Sequence, residues 1–232
     1  MTKRLDRLVL SLGHDDQEDH YPPSKLVNIT GVLADGSIVG RLPVESTEPP
    51  FWSVRAPPSL AMISVSYRGG LSGQRPDGQW IDGPRGTDPA VLKVGRYDKY
   101  LTAILDVAAD PARAPATRLQ LIPQSNPLAL ERGDRLRVRL MWDGKPLPGV
   151  AIMADYAGNA DLKHAVTDAD GFAEVAVQNQ GLNVIGAMWI EAVADDPQID
   201  FIEHLATLSF SLRPFSHRPG YMHPAMRPAA AP

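Results

Sequence analysis

The residues best suited to chemistry lie close to the amino end, in a segment where two histidines enclose four acidic residues and a glutamine. His14 and His20 are the ends of this segment, and Asp16 lies between them. Imidazole and carboxylate groups together suit divalent nickel, cobalt, copper and zinc. An apolar alternation at Leu8, Leu10 and Leu12 precedes the segment and predicts a strand. The predicted metal site therefore comes directly after a strand.

The same segment fits a second interpretation, a solvated acidic loop with two surface histidines, since its spacing matches no defined metal motif. His204 precedes an apolar alternation at Ala206–Leu212 and is a third ligand if the two halves of the chain face one cleft. Its alternative role is that of a polar residue at the edge of a strand. The sequence therefore offers His14, Asp16, His20 and His204 as candidate metal ligands.

Composition argues against several classes of function. The chain has 232 residues and no cysteine, which excludes disulfides, thiolate nucleophiles and cysteine-bound zinc or iron–sulfur clusters. Its net charge of -4 and lack of a basic block argue against nucleic-acid binding. No apolar run is long enough to span a membrane, and the start lacks the apolar region of an export signal. No nucleophile elbow, zinc-protease or phosphate-loop motif is present, so we expect no enzyme activity.

The pattern of side chains predicts an all-β protein. Arg135–Trp142 alternates strictly between arginines and apolar residues, as a half-buried strand does. Shorter alternations begin at Val150 and Ala173. Glycine and proline number 19 and 22, and Asp-Gly turn signals separate the apolar runs, which favours antiparallel hairpins. These turn signals lie at Asp35-Gly36, Asp77-Gly78, Asp143-Gly144 and Asp170-Gly171.

The same pattern predicts two β-sandwich domains. Residues 106–117 are small, contain prolines and show no apolar periodicity, as in a connector, so we place an N-terminal β domain at 1–107 and a C-terminal sandwich at 118–212. Residues 213–232 are rich in proline and contain no acidic residue, which predicts a flexible, disordered tail. The proline- and glycine-rich stretches 45–58 and 69–89 are predicted to be long loops anchored by aromatic residues, among them Trp52 and Trp80.

The order of several short motifs resembles a bacterial family of formerly unknown function that is named for nickel uptake, the NikM-like proteins. In the first half these motifs are Leu10-Ser-Leu-Gly-His14, Gly78-Gln-Trp-Ile-Asp-Gly-Pro84 and Tyr97-Asp-Lys-Tyr100. In the second half they are Asp143-Gly-Lys-Pro-Leu-Pro-Gly-Val150 and Thr167-Asp-Ala-Asp-Gly171. The resemblance covers about residues 8–212 and implies exported β-sandwich proteins whose second domain is Ig-like or transthyretin-like.

The resemblance also implies a function, because such proteins are encoded beside nickel, cobalt or other metal transport systems. We therefore expect a non-enzymatic, periplasmic protein that binds a divalent transition metal or assists a membrane metal transporter. The chain departs from the family in lacking both a signal peptide and an Asp-Phe-Trp-like segment with histidine near its start. The competing hypothesis is a structural or adhesive module that presents Trp52 and Trp80 to a protein or glycan without metal.

Overall fold

The computed structural model describes residues 7–11, 13–14, 17–18, 22–46, 51–161 and 163–212. Within these ranges the chain is all-β, with nineteen strands and three single-turn 3-10 helices, which confirms the predicted fold class. In chain order the strands are β1 Arg7–Ser11, β2 Gly13–His14, β3 Gln17–Glu18, β4 Leu26–Leu33, β5 Ile38–Arg41, β6 Val44–Ser46, β7 Phe51–Arg55, β8 Leu60–Tyr67, β9 Leu71–Gln74, β10 Trp80–Asp82, β11 Val94–Ile104, β12 Leu119–Pro123, β13 Arg135–Trp142, β14 Lys145–Pro146, β15 Ala151–Met153, β16 Lys163–Val166, β17 Phe172–Ala176, β18 Leu182–Ala192 and β19 Phe201–Ser211.

Ten of these strands form one large sheet. Its main path is β16-β15-β18-β19-β11-β8-β4-β5, and the β9–β10 hairpin is attached to the start of β11. The pairs are antiparallel except for β11 and β19, which run parallel from Gly95 opposite Phe201 to Ile104 opposite Phe210. Parallel neighbours need a long crossover connection. Here the crossover contains all the strands from β12 to β18.

A second sheet, made of β12, β13, β14 and β17, packs on one face of the large sheet. Alternation explains how β13 takes part, since Leu136, Val138 and Leu140 are fully buried while its arginines lie on the other side. The buried leucines and valine share one core with Leu208 and Phe210 of β19. Full burial of each such side chain contributes about 1.5–3 kcal/mol to folding, so this interface is a major source of stability.

A third, smaller sheet, β1-β7-β6, packs on the opposite face of the large sheet. Trp52 and Val54 of β7 are buried together with Ile63 and Val65 of β8. The neighbouring Met62 of β8 belongs to the core between the second sheet and the large sheet. Because successive side chains of a strand point to opposite faces, β8 lies in the middle layer of a three-layer arrangement.

Strands from both sides of the predicted connector pair in the same large sheet, since β11 precedes residues 106–117 and β19 follows them. The side-chain amide of Asn126, which follows β12, donates hydrogen bonds to the connector carbonyl oxygens of Asp106, Val107 and Ala109 at 3.0–3.1 Å. The division into domains 1–107 and 118–212 stays a prediction, and main-chain hydrogen bonds join the two parts. The predicted flexible tail, 213–232, lies outside the described residues.

The local predictions succeed best where alternation is strict. The strand predicted at Arg135–Trp142 is β13, with the same bounds, and Asp143 and Gly144 follow it with positive φ of 45° and 76°, as a two-residue hairpin turn requires. The strand predicted at Ala206–Leu212 begins earlier, at Phe201. The alternation from Val150 to Tyr156 forms a strand only as far as Met153.

The prediction of long loops at 45–58 and 69–89 was wrong in part. β7 lies within the first stretch, and the β9–β10 hairpin lies within the second. Proline is excluded from a strand only where a backbone N–H must form a hydrogen bond. The described prolines of these stretches lie outside the strands. Trp52 is therefore a buried residue of β7, packed against Tyr67 with 5.8 Å between ring centroids.

Candidate functional site

The predicted ligand segment near the amino end contains a short hairpin. β2 pairs antiparallel with β3, which places His14 opposite Gln17 and Gly13 opposite Glu18. The main chain of His14 is described and its side chain is not, while Asp16 and His20 lie outside the described residues. The metal-ligand role predicted for these three residues therefore stays a prediction.

His204, the remaining predicted ligand, lies inside β19 and is fully buried. Its Nδ1 is 3.1 Å from the hydroxyl of Tyr100, and its Nε2 is 3.1 Å from Oε2 of Glu191. Both ring nitrogens therefore have protein partners. Its predicted role as a third ligand stays a prediction, to which this geometry lends no support.

The sheet register explains why these partners meet. Trp189 of β18 lies opposite His204 of β19, so Glu191, two residues further along β18, points to the same face of the sheet. On the other side of β19, parallel pairing places Asp98 of β11 beside His204, and Tyr100 follows two residues later. The imidazole is thus held by strands that come from both halves of the chain.

Aromatic rings enclose the imidazole. The Trp142 ring meets it edge-on at 4.5 Å between centroids, and the Trp189 and Tyr100 rings are each stacked at 5.9 Å. Trp142 is the last residue of β13 and belongs to the second sheet. The second sheet therefore closes over a polar group that would otherwise be exposed at this end of the core.

The polar chain continues from Glu191 to the surface. Arg118 contacts Oε2 of Glu191 at 3.2 Å and Oδ2 of Asp143 at 3.2 Å, and its guanidinium lies 4.4 Å from the centroid of the Trp142 ring. The Arg118 side chain is 41% exposed. A series of side-chain contacts thus runs from the core to solvent. We call it the His204 network, and its members in order are Tyr100, His204, Glu191, Arg118 and Asp143.

Burial and charge set the protonation states in this network. Burial lowers the pKa of His204, although its hydrogen bond to Glu191 acts against this. Burial raises the pKa of Tyr100 to about 12. Burial also acts to raise the pKa of Glu191, but hydrogen bonds from Arg118 and His204 outweigh it and lower that pKa.

A neutral imidazole satisfies both of its contacts in one tautomer only. The Glu191 carboxylate only accepts hydrogen bonds, so Nε2 of His204 carries the hydrogen and donates it. Nδ1 then accepts the hydrogen of the Tyr100 hydroxyl. Every polar atom of the ring is paired, and the network accordingly joins β11, β18 and β19 rather than presenting a free ligand.

Among the described residues, no group of three or more histidine or acidic side chains is arranged to hold a metal ion. His164, a second described histidine, lies on the edge strand β16 and is exposed. Trp80, in contrast to Trp52, is 56% exposed and meets Tyr97 edge-on at 5.8 Å. The suggested presentation of Trp52 to a partner was therefore wrong, because its ring is buried between the third sheet and the large sheet.

Tyr100, Glu191, Arg118 and the two enclosing tryptophans were not recognised from the sequence as partners of His204. The burial of His204 could have been predicted from the sequence. If the strand is extended towards the amino end, His204 falls in the same alternation as Ala206, Leu208 and Phe210 and lies on their buried face. Nothing in a single sequence indicates that Tyr100 lies beside it, since the two residues are far apart in the chain and meet through the parallel pairing.

The family model described as a domain of unknown function, DUF4198, matches residues 7–191. The chain belongs to the DUF4198 family. The matched range ends at Glu191, so the final strand β19 of this DUF4198 chain lies beyond it. Neither the curated proteins nor the solved structures give a significant match. The predicted domain-of-unknown-function family is confirmed, and its link to nickel uptake stays a prediction.

Within the described ranges, the DUF4198 chain has no helix long and apolar enough to cross a membrane.

Proposed function

We propose that this DUF4198 protein is a non-enzymatic binding protein for a divalent transition metal of the nickel, cobalt, copper or zinc type. In this proposal it works in the periplasm as an accessory to a membrane metal transporter. The metal binds the segment from His14 to His20, with His14, His20 and Asp16 as donors. Imidazole nitrogen and carboxylate oxygen form a donor set that these ions accept.

The observation that supports this site is the reversal of the chain within the donor-rich segment. Since β2 pairs with β3, the residues on either side of positions 15–16 lie side by side rather than along an extended chain. A reversal shortens the distance between donors that are separated in sequence, which a chelating site requires. The segment also follows β1 directly, and β1 is held along its length by β7.

The proposal assigns no ligand role to His204. Ligation by either nitrogen would break its hydrogen bond to Tyr100 or Glu191 in a fully buried position. Loss of a buried hydrogen bond costs about 1–3 kcal/mol when one partner is left unsatisfied.

The first test is a titration of the full chain, prepared without an affinity tag and stripped with a chelator. Nickel, cobalt, copper and zinc chlorides are added separately, and heat and melting temperature are recorded. An ion that binds only the folded state stabilises it by about 2.7 kcal/mol at a hundred times its Kd. We expect at least one ion to bind with a Kd well below millimolar. If all four bind no tighter than that, the metal function is excluded.

The second test locates the site. We expect the double variant His14→Ala/His20→Ala to bind at least tenfold more weakly and to melt, without metal, at the wild-type temperature. His164→Ala is the matched control because it removes an exposed histidine from the edge strand β16, outside the proposed donor segment. Unchanged affinity in the double variant, together with lost affinity in His217→Ala/His223→Ala, would place the metal on the C-terminal segment instead.

A second candidate function, a module that binds a protein or glycan without metal, is favoured by one surface. Tyr97, Glu203 and Ile190 are cross-strand neighbours on the face of the large sheet opposite to the second sheet, and Trp80 extends this row. Trp80 and Ile190 are 56% and 57% exposed. If this candidate is correct, a glycan array will show binding that Trp80→Ala abolishes, while Leu92→Ala, at another exposed apolar residue, keeps it.

A further inference from the structure

An open apolar cleft lies at the end of the large sheet opposite to the His204 network. Its volume is about 570 Å³, within the range of cavities that hold an occupant. Its walls come from several elements, among them Leu8 of β1, Pro57 and Leu60 at the start of β8, and Leu105 after β11. Leu105 and Leu182 at this cleft are 37% and 58% exposed, so apolar surface is left open to solvent.

The last strand of the described chain forms part of the same wall. Ser209, Phe210 and Ser211 of β19 line the cleft. Leu212 is buried, and its N–H donates to the carbonyl oxygen of Gly181 at 3.0 Å, next to Leu182. The described part of the chain therefore ends, at Leu212, at the margin of the cleft.

The sequence that follows Leu212 suits this cleft. Phe215 is the first large apolar residue after it, and an extended chain of three residues spans at most about 11 Å. The segment 213–232 also carries three arginines and no acidic residue, and an acidic residue, Asp106, lies at the cleft.

We propose that the C-terminal segment folds back on its own chain and inserts Phe215 into the apolar cleft. The alternative occupant within this chain is residues 1–6, which precede β1 in the sequence, and Leu8 of β1 lines the cleft. Segment 1–6 has Leu5 and Met1 as apolar residues but three charged side chains among its six residues. The C-terminal segment has Phe215, Tyr221, Met222 and Met226, and it starts from the strand that forms the wall. Burial of one phenylalanine removes about 150–250 Å² of surface from water.

The chain has no cysteine, which allows a clean crosslinking test in the full-length protein. The variant Ala56→Cys/Ser216→Cys places one thiol in the cleft wall and one beside Phe215. The matched control, Asp196→Cys/Ser216→Cys, places the first thiol just before the opposite end of β19, about 30 Å away at the rise of a strand. Disulfide formation is followed on non-reducing gels and by peptide mass mapping.

We expect the intrachain crosslink to form at least tenfold faster in the cleft pair than in the control pair. Phe215→Ala in the cleft pair should slow it at least fivefold, whereas Tyr221→Ala should leave it within twofold. Equal rates in the two pairs would overturn the proposal. A crosslink that forms mainly between chains would also overturn it, since a second copy would then be the occupant. A rate that Phe215→Ala leaves unchanged would show that Phe215 is not the anchor.

Discussion

At the scale of single residues, His204 shows how a polar side chain is accommodated in a sandwich core. It lies on the buried face of β19, and all of its hydrogen-bonding capacity is met by Tyr100 and Glu191. Buried polar groups are tolerated only when they are paired in this way. The stability of this end of the core therefore depends on individual contacts more than on apolar area.

Tyr100→Phe tests this dependence. The change leaves Nδ1 of His204 buried without a partner, so we expect the free energy of unfolding to fall by about 1–3 kcal/mol. Urea denaturation followed by circular dichroism measures it. In a His204→Leu background the same change should be much less harmful, because the nitrogen that loses its partner is absent. Equal losses in both backgrounds would show that the hydrogen bond contributes nothing measurable.

The lowered pKa of His204 predicts a pH dependence of stability. The unfolded chain protonates this histidine at its ordinary pKa near 6.5 while the folded state still resists protonation, so acid favours unfolding. The free energy of unfolding should fall below pH 6.5, by at most about 1.4 kcal/mol per pH unit for one proton. Burial raises the pKa of Glu203, so this residue has the opposite effect and favours the folded state as the pH falls.

His204→Gln isolates the contribution of the histidine. Urea midpoints measured from pH 7 to pH 5 should decline less in this variant than in the wild-type protein, because Glu203 is common to both. Parallel curves would mean that His204 has the same proton affinity in the folded and unfolded states.

At the scale of elements, the pairing of β11 with β19 includes one close approach at its first residue pair, Gly95 opposite Phe201. The Phe201 ring lies over Gly95 so closely that a Cβ added to Gly95 would overlap it. The same ring meets Tyr97 edge-on at 6.0 Å. Glycine at position 95 thus leaves room for the ring of a neighbouring strand, as when an aromatic side chain covers a strand glycine.

Gly95→Ala should therefore destabilise the protein by about 1–3 kcal/mol, the usual range for an overpacked site. Gly40→Ala on the edge strand β5 is the matched control, because no atom lies within 4 Å of the added Cβ. Phe201→Ala in the Gly95→Ala background should recover part of the loss as a non-additive effect. Thermal melts of the wild type, the two single variants, the double variant and the Gly40→Ala control measure these effects, and additive losses at Gly95 and Phe201 would contradict the proposed overlap.

Strands and turns were predictable where the local pattern is strong. β13 was identified with its exact bounds because every second residue is apolar, and Asp143-Gly144 because both turn residues need positive φ. β7 was missed because flanking prolines hid a five-residue strand. The partner of each strand was beyond reach, since alternation reports which face is buried and carries no information on which strand covers it. The His204 network was missed for the same reason.

At the scale of the whole molecule, the large sheet joins the first and second halves of the chain through the β11–β19 pair and carries a layer on each face. We therefore expect one cooperative unfolding transition, seen equally by circular dichroism and tryptophan fluorescence. The fragment 118–212 lacks β8 and β11, which supply Met62 and Ile104 to the main core. It should not fold alone, and two separated transitions or a folded fragment would support independent domains.

The parallel pair also has a consequence for biosynthesis. β11 emerges from the ribosome about a hundred residues before β19, its neighbour on one side, and pairing at such separation slows folding. Until translation reaches the last strand, the nascent protein presents an open strand edge of the kind that promotes aggregation. A chaperone that shields this edge should therefore matter most during synthesis of the second half of the polypeptide.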